Sequence, residues 1–114
     1  MAKKKKNTII YKGEEYALVF NLNVMEDIQE KYGSVEAWGD LVEAEDEPKA
    51  KDIKYGFTSM LNEGIDIYNE ENGTERPFFT EKQVGRIISE IGLHEAAKRL
   101  NDTVVDSTKS DEKN

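Results

Sequence analysis

His94 is the only histidine in the chain, and there is no cysteine. A histidine beside a carboxylate, here Glu95, has the chemistry of a general base. Geometry rarely completes a site around one such residue, and at the start of a helical pattern His94 reads as a surface or structural side chain. With one imidazole and no thiol, the usual nitrogen and sulfur shell of zinc cannot be assembled. Carboxylates crowd at Glu43, Glu45, Asp46 and Glu47, but they lack the alternation and the glycine of a calcium loop, so the run reads as a solvated loop. Gly56 and Gly64 fall inside a helical pattern rather than in a phosphate-cradling turn. No catalytic, metal-binding or cofactor-binding residue is assigned. The chain is expected not to be an enzyme, to use no cofactor, and to bind neither metal nor nucleotide.

Three aromatic residues, Trp38, Phe78 and Phe79, have the character of partner anchors, although in a chain of 114 residues core membership is the stronger expectation. A chain of this length makes one domain with one modest core. Charged residues are 35% and apolar ones 37%, so folding requires the apolar groups to be gathered on faces. The absence of cysteine fits a reducing compartment. The basic start, Lys3 to Lys6, is followed only by Thr8-Ile9-Ile10-Tyr11 before charge returns, which reads as neither a signal peptide nor a membrane span. The net charge is −8 even with those four lysines counted, and a body that acidic repels phosphate backbones; no nucleic-acid or membrane partner is expected.

The elements that would position any surface follow from periodicity. Ile9-Ile10-Tyr11 and Tyr16 to Phe20 flank Lys12-Gly13-Glu14-Glu15 and predict a β-hairpin, with Tyr16, Leu18 and Phe20 on one face. Asn23 with Glu26 predicts a capped helix carrying Met25, Ile28 and Tyr32 and ended by Gly33. Ser34 restarts a short helix through Val35, Trp38, Leu41 and Val42. From Pro48, in the first turn, to Glu71 the apolar residues Ala50, Ile53, Phe57, Met60, Leu61, Gly64 and Tyr68 predict a helix of roughly 35 Å, about the width of the domain. Asn69 to Pro77 reads as a loop. Thr80 and Gln83 form a capping box, with Phe79 and Val84 as its hydrophobic staple, and open a helix buried through Val84, Ile87, Ile88 and Ile91. At Gly92 the stripe shifts to Leu93, Ala96, Ala97, Leu100 and Val104, which predicts a break and a last helix. The expected fold is α+β, mostly α: a hairpin packed on four to five helices in one domain over 8–105. Residues 1–7 and 106–114 are expected to be disordered ends whose removal leaves the melting temperature nearly unchanged.

This order of elements, and the run Tyr16-Ala17-Leu18-Val19-Phe20-Asn21-Leu22-Asn23-Val24-Met25-Glu26-Asp27-Ile28-Gln29-Glu30-Lys31-Tyr32-Gly33-Ser34-Val35-Glu36-Ala37-Trp38 in particular, resembles the opening of a known family. That family is the short tail assembly chaperones of long-tailed bacteriophages and prophages of Gram-positive bacteria. The resemblance extends over roughly residues 8–105, through Tyr55-Gly56, Leu61-Asn62-Glu63-Gly64, Phe79-Thr80-Glu81 and Ile88-Ser89-Glu90-Ile91-Gly92. It implies a protein of the bacterial host cytoplasm that binds the tape measure protein and helps tail tube subunits assemble around it. No active-site motif comes with it. An apolar groove to cover a long helical client and an acidic exterior to keep the complex dispersed are compatible with that role. With no nucleotide motif, release is expected through competition by tube subunits. The rival classes are a small regulatory or antitoxin-like protein-binding module and a minor structural tail component.

For the partner surface, the sequence points to the long helix. Gly56, Met60 and Gly64 make a thin ridge with Ile65 and Ile67 to either side, and a small domain cannot easily bury every side of it. The two glycines admit two explanations, close approach of a partner or a local packing need. The predicted protein-binding set is therefore Trp38, Gly56, Met60, Gly64, Ile65, Ile67 and Phe78, facing either another copy of the chain or an amphipathic helix of the client.

Overall fold

The computed structural model describes residues 7–44 and 46–113, with side chains as far as Ser107. The elements are β1 (Thr8–Tyr11), β2 (Glu14–Ala17), α1 (Leu22–Tyr32), α2 (Val35–Val42), α3 (Ala50–Asn72), α4 (Glu81–Ile91) and α5 (Leu93–Lys113). The fold is the expected one, an N-terminal antiparallel hairpin on five helices. The basic run Lys3 to Lys6, Glu45 and Asn114 lie outside the described residues.

The hairpin turn is tighter than predicted. Lys12 and Gly13 both take positive φ, +52° and +80°, and Tyr11 pairs directly with Glu14. Two successive left-handed residues match the twist of the flanking strands, so Glu14 and Glu15 are drawn from the predicted loop into β2. Beyond β2 the alternation continues as expected: Leu18 and Phe20 are buried while Ala17 is exposed.

α3 runs through the middle and touches β2 and all four other helices. Its 23 residues make a rod of roughly 35 Å, and Ile53, Phe57, Met60 and Leu61 have no exposed surface. Two expectations for its ends are corrected. Lys49 is the N-cap, so Pro48 stands just outside the first turn, and the helix passes Glu71 to stop at Gly73, which takes the left-handed conformation (φ 65°, ψ 33°).

Local helix signals held where both partners are close in sequence. Thr80 and Gln83 exchange the two hydrogen bonds of a capping box, Gly33 ends α1 at φ 90°, and Gly92 separates α4 from α5 at φ 105°. The cap of α1 is Asn21 rather than Asn23. Asn21 Oδ1 accepts from Val24 N at 3.2 Å, while the amide of Asn23 is engaged at 3.0 Å by Glu63 on α3.

The C-terminal stretch predicted to be disordered is also corrected, because α5 continues through Lys113. Its later turns meet the start of the domain. Ser107 Oγ donates to the Phe20 carbonyl at 3.1 Å, and Asn7 donates to Asp106 at 3.3 Å. Truncation after Val105 should therefore lower the melting temperature by about 5 °C, the shift that about 1 kcal/mol makes in a domain of this size. Thermal melts followed by circular dichroism check this, and an unchanged midpoint would mean that the contacts at 106 and 107 add nothing.

Candidate protein-binding surface

Of the seven residues predicted to meet a partner, five are interior. Met60 has no exposed surface, Ile65 and Trp38 have 2% and 3%, and Gly56 and Gly64 are buried. Ile67 is half-buried, and only Phe78 is prominent, at 55% exposed. The smooth ridge on α3 is real, but the chain's own elements cover it. A Cβ at Gly56 would stand 2.3 Å from Trp38 Cζ2, and one at Gly64 would stand 2.4 Å from the Ala17 carbonyl oxygen. Gly56 seats the indole of α2, and Gly64 seats the backbone of the hairpin.

Neighbours of Gly64 are used the same way. Asn62 pairs with the backbone of Phe79, donating to its carbonyl at 3.0 Å and accepting from its N–H at 2.8 Å. Glu63 accepts from Asn21 at 2.8 Å and from Asn23 at 3.0 Å. Thus Leu61-Asn62-Glu63-Gly64 addresses the core, the entry to α4, the start of α1 and the hairpin in turn. Arg76, which sequence reasoning did not single out, completes the clamp at the far end of α3. Its guanidinium lies 4.0 Å from the Tyr68 ring centre and 4.9 Å from that of Tyr16, and it bonds Glu14 at 2.8 Å.

A second network fixes α1 and α2 to the start of α3. Asp52, only 7% exposed, accepts a hydrogen bond of 2.5 Å from the Tyr32 hydroxyl, and Trp38 Nε1 donates to the Asp52 carbonyl at 3.0 Å. Burial of the Tyr32 phenol, helped by the hydrogen bond to Asp52 and by its charge, holds the pKa well above the ordinary tyrosine value. Tyr55 is raised as well, chiefly by burial and then by the charges of Asp27, Glu30 and Glu81. A raised phenol pKa means that the folded state keeps protons which the unfolded chain releases near pH 10. This contribution is complete below about pH 10 and is lost as pH rises beyond it. Tyr32→Phe should accordingly flatten the alkaline loss of stability, and urea melts between neutrality and high pH test it; an unchanged pH profile would contradict the network.

The widest depression open to a partner lies between helices, and a smaller one of about 180 Å³ lies between the hairpin and α3. A groove of about 580 Å³ opens between the start of α3, α4 and the start of α5, lined by Ala50, Lys51, Lys54, Gly85, Ile88, Ser89 and Leu93. Two smaller depressions of about 230 and 300 Å³ share Val42, Glu43 and Asn101 and form a trough between α2 and α5 with acidic residues on its α2 side. Phe78 stands beside a polar depression lined by Asp27, Glu63 and Asp66. His94 is exposed at the edge of the trough. Among the described residues there is no group of three or more potential metal ligands, and no helix is long and apolar enough to cross a membrane.

Comparison with family models, curated proteins and solved structures finds no match to this chain. Its surfaces must be read from their own chemistry. Both grooves have apolar floors and charged rims, the arrangement that receives the apolar face of an amphipathic helix.

Proposed function

We propose that this chain is a tail assembly chaperone, acting in the bacterial cytoplasm to hold a tape measure protein until tail tube subunits assemble on it. The observation that carries the reading is the pair of open apolar grooves on a chain of net charge −8. The grooves supply cover for the apolar stripe of a long helical client, and like charge keeps neighbouring complexes apart. The resemblance of Tyr16 to Trp38 and of the later glycine and aromatic positions supports the same reading. A second copy of the chain would compete with the client for the same apolar surface.

The test is co-expression with the tape measure protein encoded nearest to this chain's gene. Co-purification, and a rise of about tenfold or more in soluble tape measure protein, is the expected result, since cover of the client's apolar stripe removes the surface through which it aggregates. Tape measure protein that stays insoluble, or that is soluble without the chain, would overturn the proposal.

A further inference from the structure

Resting on that proposed function, we infer that the groove between α3, α4 and α5 is the client site, and that the client segment it takes is an amphipathic helix with acidic residues along the border of its apolar face. The floor is apolar, formed by Ala50, Gly85, Ile88 and Leu93. Its volume of about 580 Å³ is the largest of the grooves described above. One wall is cationic. Lys51 and Lys54 project from the first turns of α3, and the stem of Lys54 lies against Gly85, whose added Cβ would stand 3.4 Å from Lys54 Cδ.

Neither lysine has an ion-pair partner among the described residues. The carboxylate nearest to them in sequence, Asp52, is turned inward to Tyr32. On α4, Lys82 is exposed three residues before Gly85 and so stands on the same side of that helix. Two cations without an ion pair among the described residues, at the edge of an apolar groove, are unusual on a chain with 24 acidic and 16 basic residues, and they favour a partner of opposite charge. The trough between α2 and α5 has the reverse character on its α2 side, with Glu36, Asp40 and Glu43 on its rim, and Lys98 on its α5 side is paired with Asp102 at 3.1 Å. An acidic helix is repelled there and attracted to the lysine wall.

The experiment uses the full chain and two synthetic amphipathic helical peptides with the same leucine face, one flanked by glutamates and the other by lysines. Binding is read by fluorescence anisotropy at low and at high salt. The glutamate peptide should bind, with affinity falling as salt rises. Lys51→Glu with Lys54→Glu should weaken it by about tenfold or more, as should Ser89→Trp, which fills the groove. Glu36→Lys with Glu43→Lys, on the trough, should change it by less than about twofold, the range of ordinary surface substitutions. Preference for the lysine peptide, or loss of binding through the trough variant alone, overturns the groove assignment. The lysine variants are then carried into the co-expression test. A tape measure protein held equally well by them contradicts the groove as client site and leaves the proposed function standing. A glutamate peptide that binds at the lysine wall while the tape measure protein is not held contradicts the proposed function and leaves the groove's preference for acidic helices standing.

Discussion

Gly64→Ala should destabilise the protein by about 3 kcal/mol, the upper part of the range for overpacking a filled interior. The added methyl would stand 2.4 Å from the Ala17 carbonyl oxygen and 3.3 Å from its carbonyl carbon. Those atoms belong to backbone, in a strand paired through Thr8, so the hairpin as a whole must shift. In an open helical position the same change has the opposite sign, because alanine is favoured over glycine by roughly 0.5–1 kcal/mol. Gly39, inside α2 with nothing within 4 Å of its added Cβ, provides that comparison. Urea denaturation of both variants should show Gly39→Ala at or above wild-type stability and Gly64→Ala far below it. Equal midpoints would mean that the hairpin does not rest on Gly64.

The second large effect is at Trp38. Trp38→Ala should cost about 3–5 kcal/mol, since it empties a buried site 3% exposed and removes the hydrogen bond to the Asp52 carbonyl. Its coupling to Gly56 is more diagnostic than its size. In the wild-type background Gly56→Ala drives a Cβ against the indole and should cost about 1–3 kcal/mol. In a Trp38→Phe background the colliding Cζ2 is gone, and Gly56→Ala should become close to neutral as helix propensity is recovered. A double-mutant cycle by urea denaturation measures this. Additive effects would show that the two residues do not meet.

Which features were legible in the sequence depends on how far apart the interacting residues lie. The capping box of Thr80 and Gln83 and the stops at Gly33 and Gly92 are complete within a few residues, and local spacing located each of them. The choice between Asn21 and Asn23 as cap was not local, since it turns on Glu63, which engages both amides from some forty residues away. Periodicity placed Asp52 on the polar side of α3, yet Tyr32 approaches from α1 and draws it inward. The polar composition after Val105 gave no sign of docking, because the acceptor for Ser107 is the carbonyl of Phe20 at the other end of the chain.

The candidate surface was misplaced for the same reason. A helical stripe of Gly56, Met60 and Gly64 announces that something approaches closely, but it does not say whether the visitor is a partner or the chain's own Trp38 and Ala17. In a domain of this size the internal elements filled that place first. The lysine-walled groove had no sequence signature, because its parts come from the starts of α3 and α5 and the middle of α4, joined only by packing.

Amide hydrogen exchange on the chain, alone and bound to the tape measure protein, tests the central claim most directly, that the middle of α3 is interior and the client lies on the outer groove. In the free chain the amides of residues 56–65 should already be among the slowest, since that stretch is sealed by Trp38, Ala17 and the core. On binding, new protection should fall on residues 50–54 and 85–93, at the groove between the starts of α3 and α5 and the middle of α4. Fast exchange at 56–65 in the free chain that becomes protected in the complex, with no change at 50–54 and 85–93, would contradict it.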